Sequence, residues 1–365
     1  MKKILLVYIE PTPYIVTLVD KIKEICLYHI DVIFLAENHS QNWNIPFCSS
    51  WRLLPENYIK KLKTIINFVY VKKYNLLHLA GWSEPVMALF LLLAKHARIP
   101  VSIESDTPGH CGGMLKKIIK SIVYPPFFRK VDLFFPGGKK QAGYIASYGV
   151  KNERIVPVNM TVDVTAIQNY ISKKTEKESL CLKKHYCIPA CDIIFYYAGR
   201  LVQGKGLKDL IASFNAAGLA AATLVIAGEG DLKTWLEEVC KHNPKIIYAG
   251  YLRASKLLDV YHMADVFVFP SYKDAWGLVI NEAMAAKLPV IVSDAVGCVE
   301  DLVIEGETGL IIKAGDVSAL ENAMIRLAKS PIERMQMAHA GSRKISEWTL
   351  ENEAKKICSA WEKLV

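Results

Sequence analysis

The chain has 365 residues, which is enough for two domains and for large buried cores that need neither disulfides nor metals. Apolar residues make up 52% and charged residues 22%, which excludes a disordered chain; the longest uncharged aliphatic run, Val86–Ala94, is far too short to span a bilayer. The formal net charge of +9 falls entirely in residues 1–164, with 21 Lys/Arg against 12 Asp/Glu, whereas residues 165–365 carry 24 of each; this asymmetry points to a polyanionic surface.

Met1-Lys2-Lys3 is followed only by Ile4–Ile9 before Glu10 and Pro11, which reads as a first buried strand and not as a secretory signal. Further strands are expected at Asp31–Ala36, Leu76–Ala80, Val101–Glu104, Leu133–Pro136 and Arg154–Val158. Helical patterns lie between them at 14–27, 57–72, 84–96, 114–124 and 138–148. Within 114–124, Leu115, Ile118, Ile119 and Ile122 share one face at i, i+3, i+4 and i+7, a stripe expected to dock on the sheet, with Lys116, Lys117 and Lys120 opposite. Pro125-Pro126-Phe127-Phe128 follows and reads as an aromatic tip that dips into an interface. A linker is expected near 160–172. The second half repeats the scheme, with strands at 193–198, 222–227, 245–249, 266–270, 289–293 and 309–313 and helices between and after them. Helices at 331–345 and 349–364 close the chain. The nine cysteines contain no Cys-x-x-Cys pair, so reduced thiols are expected, and neither a zinc site nor a disulfide framework.

Strands apolar on both faces that alternate with helices imply parallel sheets covered on both sides. The fold class read from this is α/β, with two doubly wound, Rossmann-like domains facing a cleft. The boundaries are 1–165 and 166–345, with a terminal helix at 346–365 packing back on the first domain. Ligands of such sheets bind beyond the carboxyl ends of the strands.

Two segments carry the chemistry. In Phe269-Pro270-Ser271-Tyr272-Lys273-Asp274-Ala275-Trp276-Gly277-Leu278, a strand ends, a polar loop follows and a helix begins, offering unpaired N–H groups to a phosphate. Glu282 lies five residues past Gly277, about 7 Å along the helix, the span from a diphosphate to a ribose. Asp274 stands in the loop ahead of that helix. In Ala198-Gly199-Arg200-Leu201-Val202-Gln203-Gly204-Lys205-Gly206, two cations five apart on a glycine-rich turn suit a leaving diphosphate. Each segment also reads as an ordinary turn with solvated charges. Neither a Gly-x-Gly-x-x-Gly fingerprint nor a P-loop accompanies them.

Together these segments resemble the retaining family-four glycosyltransferases of the GT-B fold. The family's Gly-Arg-Leu…Lys-Gly stands as Gly199-Arg200-Leu201…Lys205-Gly206, and its Glu-x7-Glu as Asp274-x7-Glu282. Ala227-Gly228-Glu229-Gly230 and Gly306-Glu307-Thr308-Gly309-Leu310 match as well. The resemblance implies Arg200, Lys205 and Asp274 as the catalytic set, the two cations on the diphosphate and Asp274 on the donor sugar. It implies Glu282 on the ribose, the Gly277-Leu278 amides on the β-phosphate with Trp276 beside them, and Gly250-Tyr251-Leu252 along the base. Two departures stand out. Asp274 replaces a Glu, and Glu10-Pro11-Thr12-Pro13-Tyr14 replaces a Gly-Gly turn after the first strand, with Tyr14 counted among the substrate-binding candidates.

In the first domain, Asp106 and His110 follow the strand at 101–104; each is read either as a sugar- or acceptor-binding group or as part of a capped surface turn. The function expected is transfer of a hexosyl unit from a nucleotide diphosphate sugar, UDP-linked, to a glycan or lipid-linked acceptor in cell-surface polysaccharide or lipopolysaccharide assembly, with no cofactor and no metal. A nucleotide-sugar epimerase or hydrolase of the same fold, or a non-catalytic nucleotide-sugar-binding homologue, is the alternative. The basic half has no nucleic-acid motif, so its expected partner is an anionic membrane, with the protein cytoplasmic and peripheral on the inner face.

Overall fold

The computed structural model describes residues 2–37, 45, 48, 51–107, 109 and 114–365, which divide into two units: residues 1–161 with 350–365, and residues 162–349. In unit 1, β1 (Lys3–Tyr8), α1 (Pro13–Ile25), β2 (His29–Phe34), β3 (Trp51–Leu53), α2 (Tyr58–Ile66), β4 (Leu76–Ala80), α3 (Pro85–His96), β5 (Val101–Ser105), α4 (Met114–Phe128), β6 (Leu133–Pro136) and α5 (Lys139–Ala146) follow one another. The six strands are parallel and ordered β3-β2-β1-β4-β5-β6.

The strands are mostly apolar because both faces are covered. Ile4, Leu6 and Tyr8 enter one core with Ile15, Leu18 and Ile22 of α1, while Leu5 and Val7 enter the other with Phe90 of α3 and Phe128 of α4. Thr12 starts α1 by accepting from the Ile15 amide, and Pro13 at the first turn suits the unpaired end of a helix.

Unit 2 runs α6 (Val164–Ser172), α7 (Glu176–His185), β7 (Ile193–Ala198), α8 (Leu207–Ala216), β8 (Ala222–Ala227), α9 (Lys233–His242), β9 (Ile246–Gly250), α10 (Ala254–Met263), β10 (Val266–Phe269), α11 (Leu278–Ala285), β11 (Val290–Ser293), α12 (Val299–Leu302), β12 (Gly309–Ile312), α13 (Val317–Lys329) and α14 (Pro331–Ile345). Its sheet is also six-stranded and parallel, in the order β12-β11-β10-β7-β8-β9. The last helix, α15 (Leu350–Glu362), returns to unit 1, where Leu350, Ala354, Ile357 and Trp361 complete the core on the α1 side of the sheet. In each sheet the winding reverses at one pair of neighbours, β1/β4 and β7/β10, and the crevice beyond those strand ends is where such sheets hold ligands.

Four expectations need correction. Arg154–Val158 is not a regular strand: residues 152–154 make a 3₁₀ turn, and the rest runs beside β6 with one bridge, Phe134 to Ile155, and with the Val156 and Val158 amides donating to the Phe134 and Pro136 carbonyls. The sixth strand is instead the three-residue β3, too short to leave an alternation. The helix expected over 57–72 stops at Ile66 and continues as a π-helical turn, Asn67–Val71. The helix at 114–124 runs on through Pro125 and Pro126 to Phe128, and its apolar stripe does not dock on the sheet, because Leu115, Ile118, Ile119 and Ile122 are all exposed. Nor is Phe127-Phe128 a tip, since Phe128 is fully buried and Phe127 packs against the same core. Among the described residues, no helix is long and apolar enough to cross a membrane.

Candidate functional site

The reversal between β7 and β10 sends the loops after Ala198 and Phe269 out of the sheet side by side. They are tied together at Gly204, whose carbonyl accepts the Tyr272 amide at 3.1 Å and the Ser271 hydroxyl at 3.2 Å. Gly206 heads α8 in a left-handed conformation (φ 71°), and a Cβ there would lie 2.1 Å from the Pro270 carbonyl oxygen. Only glycine lets the two loops approach this closely.

Lys205 is the buried cation of this junction. Its Nζ donates to the Lys273 carbonyl at 3.2 Å and pairs with Asp274 Oδ2 at 2.5 Å. The other carboxylate oxygen, Oδ1, accepts from the Trp276 amide at 3.2 Å. Arg200 is exposed, and its carbonyl is held by the Tyr197 hydroxyl at 3.1 Å. Gly277 caps α11 with φ 91°, and a Cβ there would come within 2.5 Å of Val296 Cγ1. The first two amides of α11, Leu278 and Val279, have no acceptor within the helix and carry the positive end of its dipole, while the Ile280 amide donates to the Gly277 carbonyl at 2.8 Å. The Trp276 ring is buried, stacked on Trp348 at 5.7 Å, and its indole N–H donates to Asn281 at 3.0 Å, so the ring braces the loop from behind.

Glu282 lies one turn further along α11. Its Oε2 accepts from the Tyr261 hydroxyl at 2.9 Å. Burial pushes this carboxyl up to about 7, against a smaller opposing effect of the Tyr261 hydrogen bond. Behind it, the Tyr196 hydroxyl is buried without a hydrogen-bond partner, its ring edge-on to Tyr261 at 5.0 Å. Gly250 ends β9 with φ 78°; Leu252 is half-buried, and the exposed Tyr251 ring carries the Arg253 guanidinium at 5.2 Å. Arg200, Lys205, Asp274, Gly277, Leu278 and Glu282 thus all lie on the loops and helix that leave the β7/β10 reversal.

Unit 1 has a cavity of about 440 Å³ at its own reversal, beyond β1 and β4. Tyr14 and Asp106 line it, together with Tyr8, Trp82 and Glu104. Burial, and to a lesser degree the Asp106 charge, raise the Tyr14 phenol. His110 lies outside the described residues. Sequence reading missed Glu104, whose Oε2 accepts from the Tyr8 hydroxyl at 3.3 Å and lies 3.1 Å from Nε2 of the buried His78. His78 Nδ1 is 3.0 Å from Ser102 Oγ, which also accepts the Trp361 indole N–H at 2.9 Å. Glu353 of α15 reaches the same cavity, and burial raises its carboxyl well above the ordinary range, with the Glu104 charge adding to the effect. The available signal was polar His78 within the apolar run Leu76–Ala80, beside a strand that ends in Glu104.

Residues 183–344 match the family described as glycosyl transferases group 1. An uncharacterized glycosyltransferase of Methanocaldococcus jannaschii is 24% identical over 75% of this chain and 74% of its own length. The capsular polysaccharide biosynthesis glycosyltransferase CapM of Staphylococcus aureus is 29% identical, but over only 45% of this chain and 44% of CapM. Among solved structures, Anabaena HepE in complex with UDP superimposes with a TM-score of 0.80 at 15% identity, covering all of both chains. That likeness establishes the two-sheet architecture as the GT-B fold.

Proposed function

Because the second unit of this chain belongs to the glycosyl transferases group 1 and the protein is a glycosyltransferase of the GT-B fold, we propose that it transfers a hexosyl unit, with retention, from a UDP-linked sugar to a glycan or lipid-linked acceptor. The observation that carries this reading is the junction at Gly204, where Lys205, Asp274 and the start of α11 are held by one hydrogen-bonded pair of loops. Arg200, Lys205 and the Gly277-Leu278 amides hold the diphosphate, Glu282 takes the ribose hydroxyls, and Gly250-Tyr251-Leu252 line the base. Asp274 meets the donor sugar. Solved structures of HepE with UDP and with UDP-glucose support a uridine nucleotide.

Charge on the departing diphosphate peaks in the transition state, so fixed cations and helix amides that face it there lower the barrier. These groups supply the positive charge, so activity is expected to survive a chelator. In the retaining step the acceptor oxygen bonds to the anomeric carbon as the bond to the diphosphate breaks, and the departing phosphate oxygen takes the acceptor's proton on the same face. Asp106, Tyr14 and His110 are the acceptor-side residues. CapM's role in capsular polysaccharide biosynthesis supports a place in cell-surface polysaccharide or lipopolysaccharide assembly, and the basic charge of residues 1–164 supports peripheral attachment to the cytoplasmic face of an anionic membrane.

The test is calorimetric titration of UDP into wild type, Arg200→Ala and Glu282→Ala, with NMR of the products formed from UDP-glucose and an oligosaccharide mixture. Weaker UDP binding in both variants, and a product that keeps the α-configuration, are expected. Undiminished binding in both would refute the donor assignment. Conversion of the nucleotide-sugar without any acceptor would assign the site to an epimerase or hydrolase.

A further inference from the structure

α4 is seated on unit 1 by one side only. Phe128 is fully buried and meets the rings of Trp82, Tyr124 and Phe134 at centroid distances of 4.9, 5.2 and 5.1 Å. The opposite side carries Leu115, Ile118, Ile119, Ile122 and Val123, between 50% and 71% exposed. At about 100° per residue these five side chains occupy an arc of roughly 140°, with Lys116 and Lys120 along its flank and Lys117 beyond. Monomeric proteins rarely leave a contiguous aliphatic face of this kind in water. No acid lies between Asp106 and Asp132, and Arg129 and Lys130, both exposed, extend the basic character past the end of the helix. A second copy of this helix would bring like charges together, whereas anionic lipid headgroups complement them and the acyl boundary accepts the aliphatic face.

We infer that α4 is a membrane-inserting helix, lying in the plane of an anionic bilayer with its five aliphatic side chains among the acyl chains and its lysines at the phosphates. The inference rests on the peripheral attachment proposed above and identifies the element responsible. It also bears on the acceptor. Lys120 and Tyr124, on the inner flank of the same helix, line the 440 Å³ cavity. An inserted α4 therefore holds that cavity at headgroup level, where the sugar of a lipid-linked acceptor is presented while its hydrocarbon stays in the bilayer.

The experiment is co-sedimentation of the full chain with phosphatidylcholine vesicles, with and without phosphatidylglycerol, at low and high salt. Three variants accompany wild type: Ile118→Ser/Ile119→Ser/Ile122→Ser, Lys116→Gln/Lys117→Gln, and the fluorescent reporter Ile119→Trp. The triple serine variant should lose at least about tenfold in vesicle partition at both salts. The double glutamine variant should lose only the preference for anionic vesicles, and the reporter's emission should shift to the blue on anionic vesicles. All should keep the wild-type melting temperature and UDP affinity, since none of these side chains is buried. A triple variant that sediments like wild type overturns the role of α4 while peripheral attachment stands. Wild type that binds no vesicle overturns both. A concentration-dependent dimer in analytical ultracentrifugation, lost in the triple variant, assigns the face to a second copy and overturns the inference. UDP binding, read in the same samples, reports separately on the donor site.

Discussion

Replacing Glu282 with Gln removes an ionisable group while leaving an oxygen to accept the Tyr261 hydroxyl. In the folded chain this carboxyl sits at about 7 instead of the ordinary 4.5. The folded state therefore holds the proton more tightly than the unfolded chain, and its stability declines as pH rises from about 4.5 towards 7. At about 1.4 kcal/mol for each pH unit, burying the ionised form costs about 3 kcal/mol above pH 7. Glu282→Gln escapes that cost. Relative to wild type it should gain about 3 kcal/mol between pH 4.5 and pH 8 while binding UDP less well, because the ribose hydroxyls lose an anionic acceptor. The assay is urea denaturation at both pH values, followed by the fluorescence of Trp235, Trp276 and Trp348, which all belong to unit 2. A stability difference that does not change with pH would refute the claim that this carboxyl is held protonated by burial.

Three further outcomes follow from the same geometry. UDP affinity of the wild type should fall as pH drops below about 7, by up to tenfold per unit, because the carboxylate is the form that accepts both ribose hydroxyls; a flat profile from pH 5 to 8 would remove Glu282 from the ribose. Arg200→Ala should lower turnover about a hundredfold without moving the melting temperature, since its side chain is exposed, whereas Lys205→Ala should also lower the melting temperature by leaving Asp274 without its cation. Gly206→Ala should cost at least about 2 kcal/mol of unfolding free energy, because the left-handed backbone and the 2.1 Å approach to Pro270 both oppose a methyl group; a loss below half of that would contradict the tight junction of the two loops.

The parts of the molecule legible in the sequence are those whose cause is local. Strands such as Ile4–Tyr8 and Ile193–Ala198 announce themselves because they are apolar on both faces, and a sheet wound on both sides requires that. Gly206 and Gly277 stand out in their motifs because each sits where a side chain would strike a neighbouring loop. What escaped depends on long-range packing. Periodicity says that Leu115, Ile118, Ile119 and Ile122 share a face of α4, but not that Tyr124, Phe127 and Phe128 would seat the helix by another side. The hydrogen bonds joining Tyr8, Glu104, His78, Ser102 and Trp361 span up to 259 positions, so no window along the chain contains them. The strand expected at Arg154–Val158 is cut short because the 3₁₀ turn over Asn152–Arg154 takes up its first residue, leaving only a short segment along β6.

The return of α15 to unit 1 sets an order of events during synthesis. The strands of unit 1 are made before unit 2, yet the part of their sheet face that α1 leaves open stays uncovered until Ala354, Ile357 and Trp361 have been made. At about 5–20 residues per second, the interval between Thr161 and Leu350 lasts roughly 10 to 40 s. During that time Ile4, Leu6 and Phe135 wait for a lid that does not yet exist, while all of unit 2 emerges and has time to fold. The usual vectorial order is inverted: the domain begun first is finished last. A ribosome stalled within residues 162–349 would therefore display a nascent chain whose sheet is covered on one face by α1 alone, the kind of apolar surface that holding chaperones grip.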